Sequence, residues 1–261
     1  MAESTAATIE RLRQRMAEIP ARSAGPVRPS LAALTCTDAQ SESGEVELDA
    51  LKRVEPSPIR ALPVPPPIAD LLPHRGLARG STIRVDGVAS LRAGLIATVT
   101  AAGGWAAVVG SPDLGLLAAA EMGADLSRCA VIEEPGPDPV AVAAVLVDGI
   151  DLILVSLAGA DVPPSRARAV TARARRNGAV LAFTGGRWPA TDVHLDARVA
   201  GYRGLEPGYG RITGIDLDVQ VTTRGGHPRH RTVTLSGRGG HVDWIQATDD
   251  SGAIAPLRMA R

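Results

Sequence analysis

Aromatic residues are scarce in this sequence of 261 residues, since phenylalanine, tyrosine and tryptophan together make up 2% of it. Proteins that bind single-stranded nucleic acid without sequence preference stack the bases on aromatic side chains, so this scarcity argues against a stacking platform. The sequence has two cysteines, Cys36 and Cys129, whose spacing fits neither a metal site nor a redox motif. They are typical of an intracellular protein with reduced thiols.

An excess of positive charge is also missing, because 28 lysines and arginines balance 28 aspartates and glutamates. A formal net charge of zero removes any whole-protein electrostatic attraction to nucleic acid or to an anionic membrane. Arginine supplies nearly all of the positive charge, since Lys52 is the only lysine. No apolar run is long enough to span a membrane and no apolar signal core is present, so we expect a cytoplasmic protein.

The hydrophobic content of 45% is sufficient for a sizeable core, and the sequence pattern divides the chain into four parts. These are an amphipathic helix (1–19), a proline-rich linker (20–67), a globular domain (68–247) and a carboxyl-terminal tail (248–261). The predicted helix carries an apolar stripe of Ile9, Leu12, Met16 and Ile19. This stripe either packs on the chain's own core or docks on a partner, and both interpretations remain open.

Within the globular domain, apolar strands alternate with helices, which is typical of a mostly parallel sheet covered by helices on both faces. From HLDARVAGYRG (194–204) onward, apolar and polar residues alternate between glycines. That pattern predicts antiparallel strands that extend one edge of the sheet. The sequence therefore predicts an α/β fold with an antiparallel extension near its carboxyl terminus.

The segment GSTIRVDGVASLRAGLIATVTAAGG (80–104) predicts a strand, a glycine-opened turn and a helix, which is the arrangement of a phosphate-binding loop. Such a loop requires G-x-x-x-x-G-K-[ST], whose lysine reaches the outer phosphates and whose hydroxyl holds magnesium. Here Gly87 is followed after four residues by Arg92, Ala93 and Gly94, so the second glycine, the lysine and the hydroxyl are all replaced. By itself the segment favours an ordinary strand-to-helix turn that never bound a nucleotide.

The order of the segments resembles the ATPase core of the RecA recombinases over residues 70–240. The segments that carry this resemblance are GLARGSTIRVDG, AGGWAAVVG, EMGADLSRCAVIE, GIDLILVSL and GAVLAFTG, followed by three meandering strands. The stretch TDVHLDARVAGYRGLEPGYGRITGIDLDVQV is most similar to the ImuA/ImuA-prime family of actinobacteria, the RecA-like accessory proteins of damage-induced mutagenesis cassettes. The resemblance implies a RecA-like core that acts in DNA repair, the SOS response and error-prone translesion synthesis. It also implies a Y-family polymerase-like (ImuB-type) partner and, through it, a replicative-type polymerase and the sliding clamp.

Four roles that the resemblance would assign to an ATPase lack their usual residues. Beside the altered loop at 87–94, Ser156 occupies the position of the acid that faces magnesium, and Asp113 is the only acid near the expected water-activating glutamate. Gly185 and Gly186 occupy the position of the phosphate-sensing glutamine. We therefore expect a pseudo-ATPase adaptor without catalytic residues, cofactor or metal. The alternatives are an atypical ATPase or recombinase paralogue that borrows groups from a neighbouring subunit, and a SulA-like cell-division inhibitor.

Arginines are concentrated in two segments that could contact DNA phosphates or an acidic partner. They are Arg166, Arg168, Arg173, Arg175 and Arg176 on a helix predicted at 163–178, and Arg224, Arg229 and Arg231 in a predicted hairpin. The alternative is a solvated helix face, and we expect any DNA binding to be weak and salt-sensitive. The hairpin also holds His227 and His230, but no further ligand completes a metal site. Self-association through the predicted helix at 1–19 is a further candidate interaction. The resemblance also implies association with the nucleoid during DNA damage.

Overall fold

The computed structural model of the protein describes residues 61–206 and 209–247. The strands are β1 (Ala61–Leu62), β2 (Leu77–Ala78), β3 (Thr82–Gly87), β4 (Ala106–Val109), β5 (Cys129–Ile132), β6 (Leu152–Ser156), β7 (Val180–Thr184), β8 (Val193–Glu206), β9 (Tyr209–Thr223), β10 (Arg229–Arg238) and β11 (His241–Gln246). The helices are α1 (Pro66–Ala69), α2 (Ala89–Ala101), α3 (Leu116–Glu121), α4 (Pro139–Leu146) and α5 (Pro164–Asn177), with a 3-10 turn at Leu126–Arg128.

Nine of the described strands form one sheet in the spatial order β5-β4-β6-β7-β3-β8-β9-β10-β11. The pairs from β5 to β8 are parallel and the pairs from β8 to β11 are antiparallel. The predicted α/β class with an antiparallel extension is therefore confirmed. The first carboxyl-terminal strand, β8, lies parallel to β3, because Ile83 of β3 pairs with Val193 of β8 on one side and with Ala182 of β7 on the other.

Two hydrophobic clusters lie on opposite faces of the sheet. The larger one packs α2 residues such as Leu91 and Leu95 against β3 and the inner face of β8–β10. The smaller one packs α4 and α5 against β4, β6 and β7, and includes Phe183, whose ring stacks on Trp188 at a centroid distance of 5.4 Å. The second face of β3 and β8–β10 carries mostly polar side chains that belong to neither cluster, which explains the alternating sequence pattern of these strands.

Helix α5 shows the boundaries that its sequence predicts. It starts at Pro164, where a missing N–H costs nothing, and ends at Asn177. The cap residue Gly178 follows with a φ of +68°, the left-handed geometry of a helix C-cap. Its buried residues Ala167, Val170 and Ala174 share one stripe on the sheet. The arginines of α5 therefore occupy its remaining faces.

The last residues of the predicted linker form β1 and the start of α1. Leu62 and Val64 belong to the larger core cluster, and Pro66 and Pro67 fit the first turn of α1 because that turn leaves N–H groups unpaired. The predicted helix at 1–19, most of the linker and the tail at 248–261 lie outside the described residues. None of the helices in 61–206 and 209–247 combines the length and apolarity needed to cross a membrane.

Candidate functional site

The turn between β3 and α2 contains a single residue, because β3 ends at Gly87 and α2 begins at Ala89. Gly87 has a φ of +86°, and a Cβ atom added to it would lie 1.9 Å from the carbonyl oxygen of Ala197 in β8. The Val88 N–H donates to that same oxygen at 3.0 Å. The predicted strand, glycine turn and helix are therefore confirmed, and the turn lies directly against the β8 backbone.

Arg92 and Asp113, which the sequence places on separate segments, form an ion pair. The Arg92 Nη2 donates to Asp113 Oδ2 at 2.8 Å, and the Arg92 side chain is 11% exposed whereas that of Asp113 is 64% exposed. The Arg92 Nε is buried without a hydrogen-bond partner among the described residues. The hydrogen bond from Arg92 holds the pKa of the Asp113 carboxyl below its ordinary value. Sequence spacing gave no signal for this contact between α2 and the β4–α3 loop.

The two residues after Arg92 are buried in different ways. Ala93 is 2% exposed and belongs to the larger core cluster. A Cβ atom added to Gly94 would lie 2.7 Å from the indole ring of Trp244, which reaches α2 from β11. The position where a phosphate-binding loop carries its hydroxyl is thus covered by a side chain from the opposite end of the chain.

The ends of β6 and β7 lie close together and carry short connections. Ser156 pairs with Thr184 in the sheet, and the Leu157 N–H donates to the Thr184 carbonyl oxygen at 2.9 Å. A Cβ atom added to Gly186 would lie 2.5 Å from the Leu157 Cβ, so this glycine permits a close approach of the two connections. Ser156 lies at the end of β6, and Gly185 and Gly186 follow β7. These three residues, predicted to replace catalytic groups, therefore lie on two neighbouring segments.

Two arginines of α5 are paired with aspartates that lie on either side of α4. Arg173 Nε donates to Asp148 Oδ1 at 2.7 Å, and Arg166 forms an ion pair with Asp138, the N-cap of α4. The hydrogen bond from Arg173 lowers the pKa of the Asp148 carboxyl. Burial acts to raise the pKa of Asp138, but the hydrogen bond from Arg166 and the Ala141 N–H outweigh it and the net shift is downward. These contacts tie α5 to α4.

Three of the predicted arginines, Arg168, Arg175 and Arg224, converge on a groove of about 530 Å³ beside α5, which we call the α5 groove. It is lined by Thr82, Pro164, Ala167, Arg168, Thr171, Ala172, Arg175, Trp188, Pro189, Ala190, Asp192 and Arg224. The sequence placed Arg224 in a separate hairpin, and the β9–β10 connection brings it to the helix.

The other predicted arginines do not line this groove. Arg176 lies exposed near the end of α5, and Arg229 lies exposed at the start of β10. Arg231 Nη1 donates to Asp70 Oδ2 at 2.8 Å, and Asp70 directly follows α1. The apolar stripe predicted at 1–19 lies outside the described residues. His227 and His230 are exposed, and the described residues contain no cluster of three side chains that could hold a metal ion.

Sequence reasoning missed a set of charged residues on the uncovered face of β3 and β8. Arg84 Nε and His194 Nε2 lie 2.5 Å and 2.9 Å from the same carboxylate oxygen of Asp86. Arg198 Nε donates to Asp196 Oδ2 at 3.1 Å. The alternating polar positions in TIRVDG and VHLDAR were the available signal. Because these charges are paired with one another, this face offers little uncompensated charge to a ligand.

Comparison with known proteins identifies relatives of the chain. The family model described as the MT3502 N-terminal domain matches residues 70–190, from the segment after α1 to the connection before β8. The chain is 45% identical over 212 residues to the uncharacterized protein Rv3395c of Mycobacterium tuberculosis, an alignment that covers 75% of this chain and 100% of that protein. The matched range of the family model includes the β3–α2 turn and α5. The chain thus belongs to the same protein family as Rv3395c, and its residues 70–190 match the MT3502 N-terminal domain.

Proposed function

We propose that the protein is a non-catalytic RecA-fold adaptor in an error-prone translesion synthesis complex. In this role it bridges a Y-family polymerase-like (ImuB-type) protein and, through it, a replicative-type polymerase bound to the sliding clamp. The family match and the relative are consistent with an ImuA-type protein. The parallel strands followed by an antiparallel meander support the RecA-like part of the proposal.

The observation that carries the proposal is the filling of the β3–α2 region by the chain's own residues. A phosphate-binding loop needs several backbone N–H groups turned toward an anion, with room for that anion above the helix. Here the turn has one residue and rests on the β8 backbone. Arg92 is engaged by Asp113, and Trp244 covers Gly94. These contacts support a role in which the fold is retained for binding a partner rather than for hydrolysing a nucleotide.

The sheet edge at β5 supports the partner-binding part of the proposal. No described strand pairs with the outer edge of β5, and Val131 on this strand is 38% exposed. Leu126, in the turn before β5, is 40% exposed. An unpaired edge with exposed apolar side chains is a template for an added strand from another protein. We therefore assign the polymerase-like partner to this edge.

A complementation experiment tests the proposal in cells. A strain that lacks the gene should lose damage-induced mutagenesis, and both the wild type and Asp113→Asn should restore it, because the proposed role needs no acid at this position. Val131→Asp should fail to restore mutagenesis while the protein accumulates normally, since a charge at an unpaired edge opposes strand addition. Arg176→Gln, far from this edge on α5, serves as the control variant.

Other outcomes would favour the alternatives. Calorimetric titration of the full chain with magnesium-ATP should show no micromolar binding, because a lost charge-assisted contact removes about 1.5–3 kcal/mol. Micromolar affinity together with loss of mutagenesis in Asp113→Asn would replace the adaptor with an atypical ATPase. Damage-induced filamentation that depends on the gene, with normal mutagenesis in its absence, would favour a SulA-like inhibitor.

A further inference from the structure

The α5 groove lies between α5, the connection from β7 to β8 and the start of the β9–β10 connection. Its volume of about 530 Å³ falls in the range of small-ligand and peptide sites. It includes neither the β3–α2 turn nor the β5 edge. Ligand binding in the α5 groove is therefore independent of the proposed role in mutagenesis.

The charges that line the groove are unbalanced, with three arginines against one aspartate. Arg168 Nε donates only to the Pro164 carbonyl oxygen, one turn earlier on α5. Within residues 61–206 and 209–247, no carboxylate forms an ion pair with Arg168 or Arg224. Arg166 and Arg173 on the same helix, by contrast, each hold an aspartate. The groove thus holds two arginines, Arg168 and Arg224, whose charge is not balanced by a carboxylate of the described residues.

The single carboxylate in the groove is committed to the sheet. Asp192 Oδ2 accepts hydrogen bonds from the Thr82 N–H at 2.9 Å and from the Thr82 hydroxyl at 3.1 Å. Its other oxygen lies 3.6 Å from Arg175 Nη2, beyond normal hydrogen-bond distance. Arg175 is therefore drawn toward the groove but keeps donors for another acceptor, and its side chain is 58% exposed.

The walls of the groove do not suit a nucleic-acid base. Trp188 is the aromatic residue of the lining, but it is 8% exposed and its ring stacks on Phe183. A base would need an accessible aromatic face to stack on. The remaining wall residues are alanines, prolines and Thr171, which form a shallow apolar surface of small side chains. Small apolar walls with guanidinium groups above them match a peptide backbone that carries carboxylates.

We propose that the α5 groove binds an extended acidic peptide segment of a partner protein, with carboxylates on Arg168 and Arg175. These arginines are seven residues apart on α5, so their Cα atoms are separated by about 10.5 Å along the helix axis. A polyproline II segment repeats every three residues with a rise of about 3.1 Å per residue, which places the side chains of residues three apart on one face about 9.3 Å from each other. The ligand is therefore a segment with two acidic residues three positions apart. Arg224, on the opposite wall, contacts a backbone carbonyl or a further acid.

Fluorescence anisotropy with the full chain tests this assignment. The probe is a labelled nine-residue peptide with prolines and with glutamates at its fourth and seventh positions, and the reference is the same peptide with glutamines. We expect the glutamate peptide to bind more tightly, with an affinity that falls as salt is added. Arg168→Gln and Arg175→Gln should each weaken binding about threefold to tenfold, and the double variant at least tenfold, whereas Arg224→Gln should have a smaller effect. Arg176→Gln, which removes the same charge from α5 outside the groove, should leave binding unchanged.

Several results would overturn the assignment. Equal binding of the glutamine peptide, no binding of either peptide, or an equal loss with Arg176→Gln would each contradict a specific site. A single-stranded oligonucleotide that displaces the peptide at lower concentration, and that loses affinity with Arg168→Gln, would assign the groove to nucleic acid instead. Thermal melting by circular dichroism confirms that the variants fold, and none of these changes affects the β5 edge on which the mutagenesis experiment depends.

Discussion

The β3–α2 turn and the α5 groove place arginines in opposite situations. Arg92 is nearly buried, is paired with Asp113 and lies under neighbouring segments of its own chain. Arg168 and Arg224 are exposed, and no described carboxylate pairs with them. The first region resembles a nucleotide loop in its strand, glycine and helix, whereas the second matches no catalytic motif.

This difference shows that a segment can resemble a binding motif without leaving space for a ligand, and that a groove can form where the sequence carries no such motif. In the β3–α2 region, Gly87 lies against the Ala197 carbonyl oxygen, Arg92 pairs with Asp113 and Trp244 covers Gly94, so the chain's own residues occupy the space. In the α5 groove, an open volume coincides with two arginines that no carboxylate in residues 61–206 and 209–247 pairs with. Substitutions in the β3–α2 region should therefore lower the free energy of unfolding. Substitutions in the α5 groove should change ligand binding with little effect on the free energy of unfolding.

The largest effect is expected from Gly87→Ala. The added Cβ atom would meet the Ala197 carbonyl oxygen at 1.9 Å and would hold an L side chain at a φ of +86°. We expect the free energy of unfolding to fall by about 3–5 kcal/mol, measured by urea denaturation. Gly103→Ala is the matched control, because Gly103 has a similar φ of +82° but no atom within 4 Å of the added Cβ. It should cost about 1 kcal/mol; equal losses for both variants would show that the packing against β8 is unimportant.

Arg92 offers the next largest effect. Arg92→Ala removes a buried aliphatic stem together with the ion pair, and should lower the free energy of unfolding by about 2–3 kcal/mol. Arg92→Met keeps the stem and removes a charge whose Nε is already without a partner, so it should stay within about 1 kcal/mol of the wild type. If Arg92→Met lowered the free energy of unfolding as much as Arg92→Ala, the guanidinium group itself would be required for stability. Arg92 would then do more than fill space with its aliphatic stem.

A smaller effect is expected at the contact between α2 and β11. Replacing a helical glycine by alanine normally stabilises a helix by about 1 kcal/mol. In Gly94→Ala the new Cβ atom meets the Trp244 ring at 2.7 Å, so we expect a net loss of about 1 kcal/mol instead. In a Trp244→Leu background the same change should become stabilising. A double-mutant cycle by chemical denaturation measures the coupling, and a coupling near zero would mean that Trp244 does not press on this helix.

The smallest effect separates a paired from an unpaired arginine on α5. Arg173→Gln should lower the free energy of unfolding at neutral pH by more than Arg168→Gln does, because Arg173 alone of the two holds an aspartate. The pKa of Asp148 is lowered in the folded state, so its contribution is present above the pKa of the unfolded chain and is lost as the pH falls through the folded-state pKa. The difference between Arg173→Gln and the wild type should therefore begin to shrink as the pH falls below about 4 and should vanish once the pH is below the lowered folded-state pKa of Asp148. A difference that persists in acid would point to packing instead.

Much of the fold could be predicted because its signals are local. The apolar runs that became β4, β6 and β7 are each bounded by glycine or charged residues, and α5 lies between Pro164 and Gly178. These patterns depend on periodicity and on turn residues, which a sequence shows directly. The position of β8 beside β3 could not be predicted, because neighbouring positions in a sheet depend on packing between distant segments.

The candidate sites were less predictable for the same reason. The sequence identified Arg92 and Asp113 as departures from a motif, but nothing in their spacing indicated that they form a pair. It identified Arg168 and Arg224 in separate segments, and they line one groove because the start of the β9–β10 connection lies beside α5. Ion pairs such as Arg166 with Asp138 divided the arginines into structural and available ones, and that division depends on three-dimensional contacts alone.

The place of β3 in the sheet also has a consequence for how the chain is made. On the ribosome, β3 is synthesised long before either of its neighbours, because β7 begins at Val180 and β8 at Val193. Until those strands emerge, Ile83 and Val85, both nearly fully buried in the final fold, have no sheet to join. Parallel pairing between such distant segments folds slowly and leaves an exposed apolar strand open to aggregation. A nascent chain that stops before Val193 should therefore depend on chaperones, and cotranslational folding should be delayed until most of the protein has left the exit tunnel.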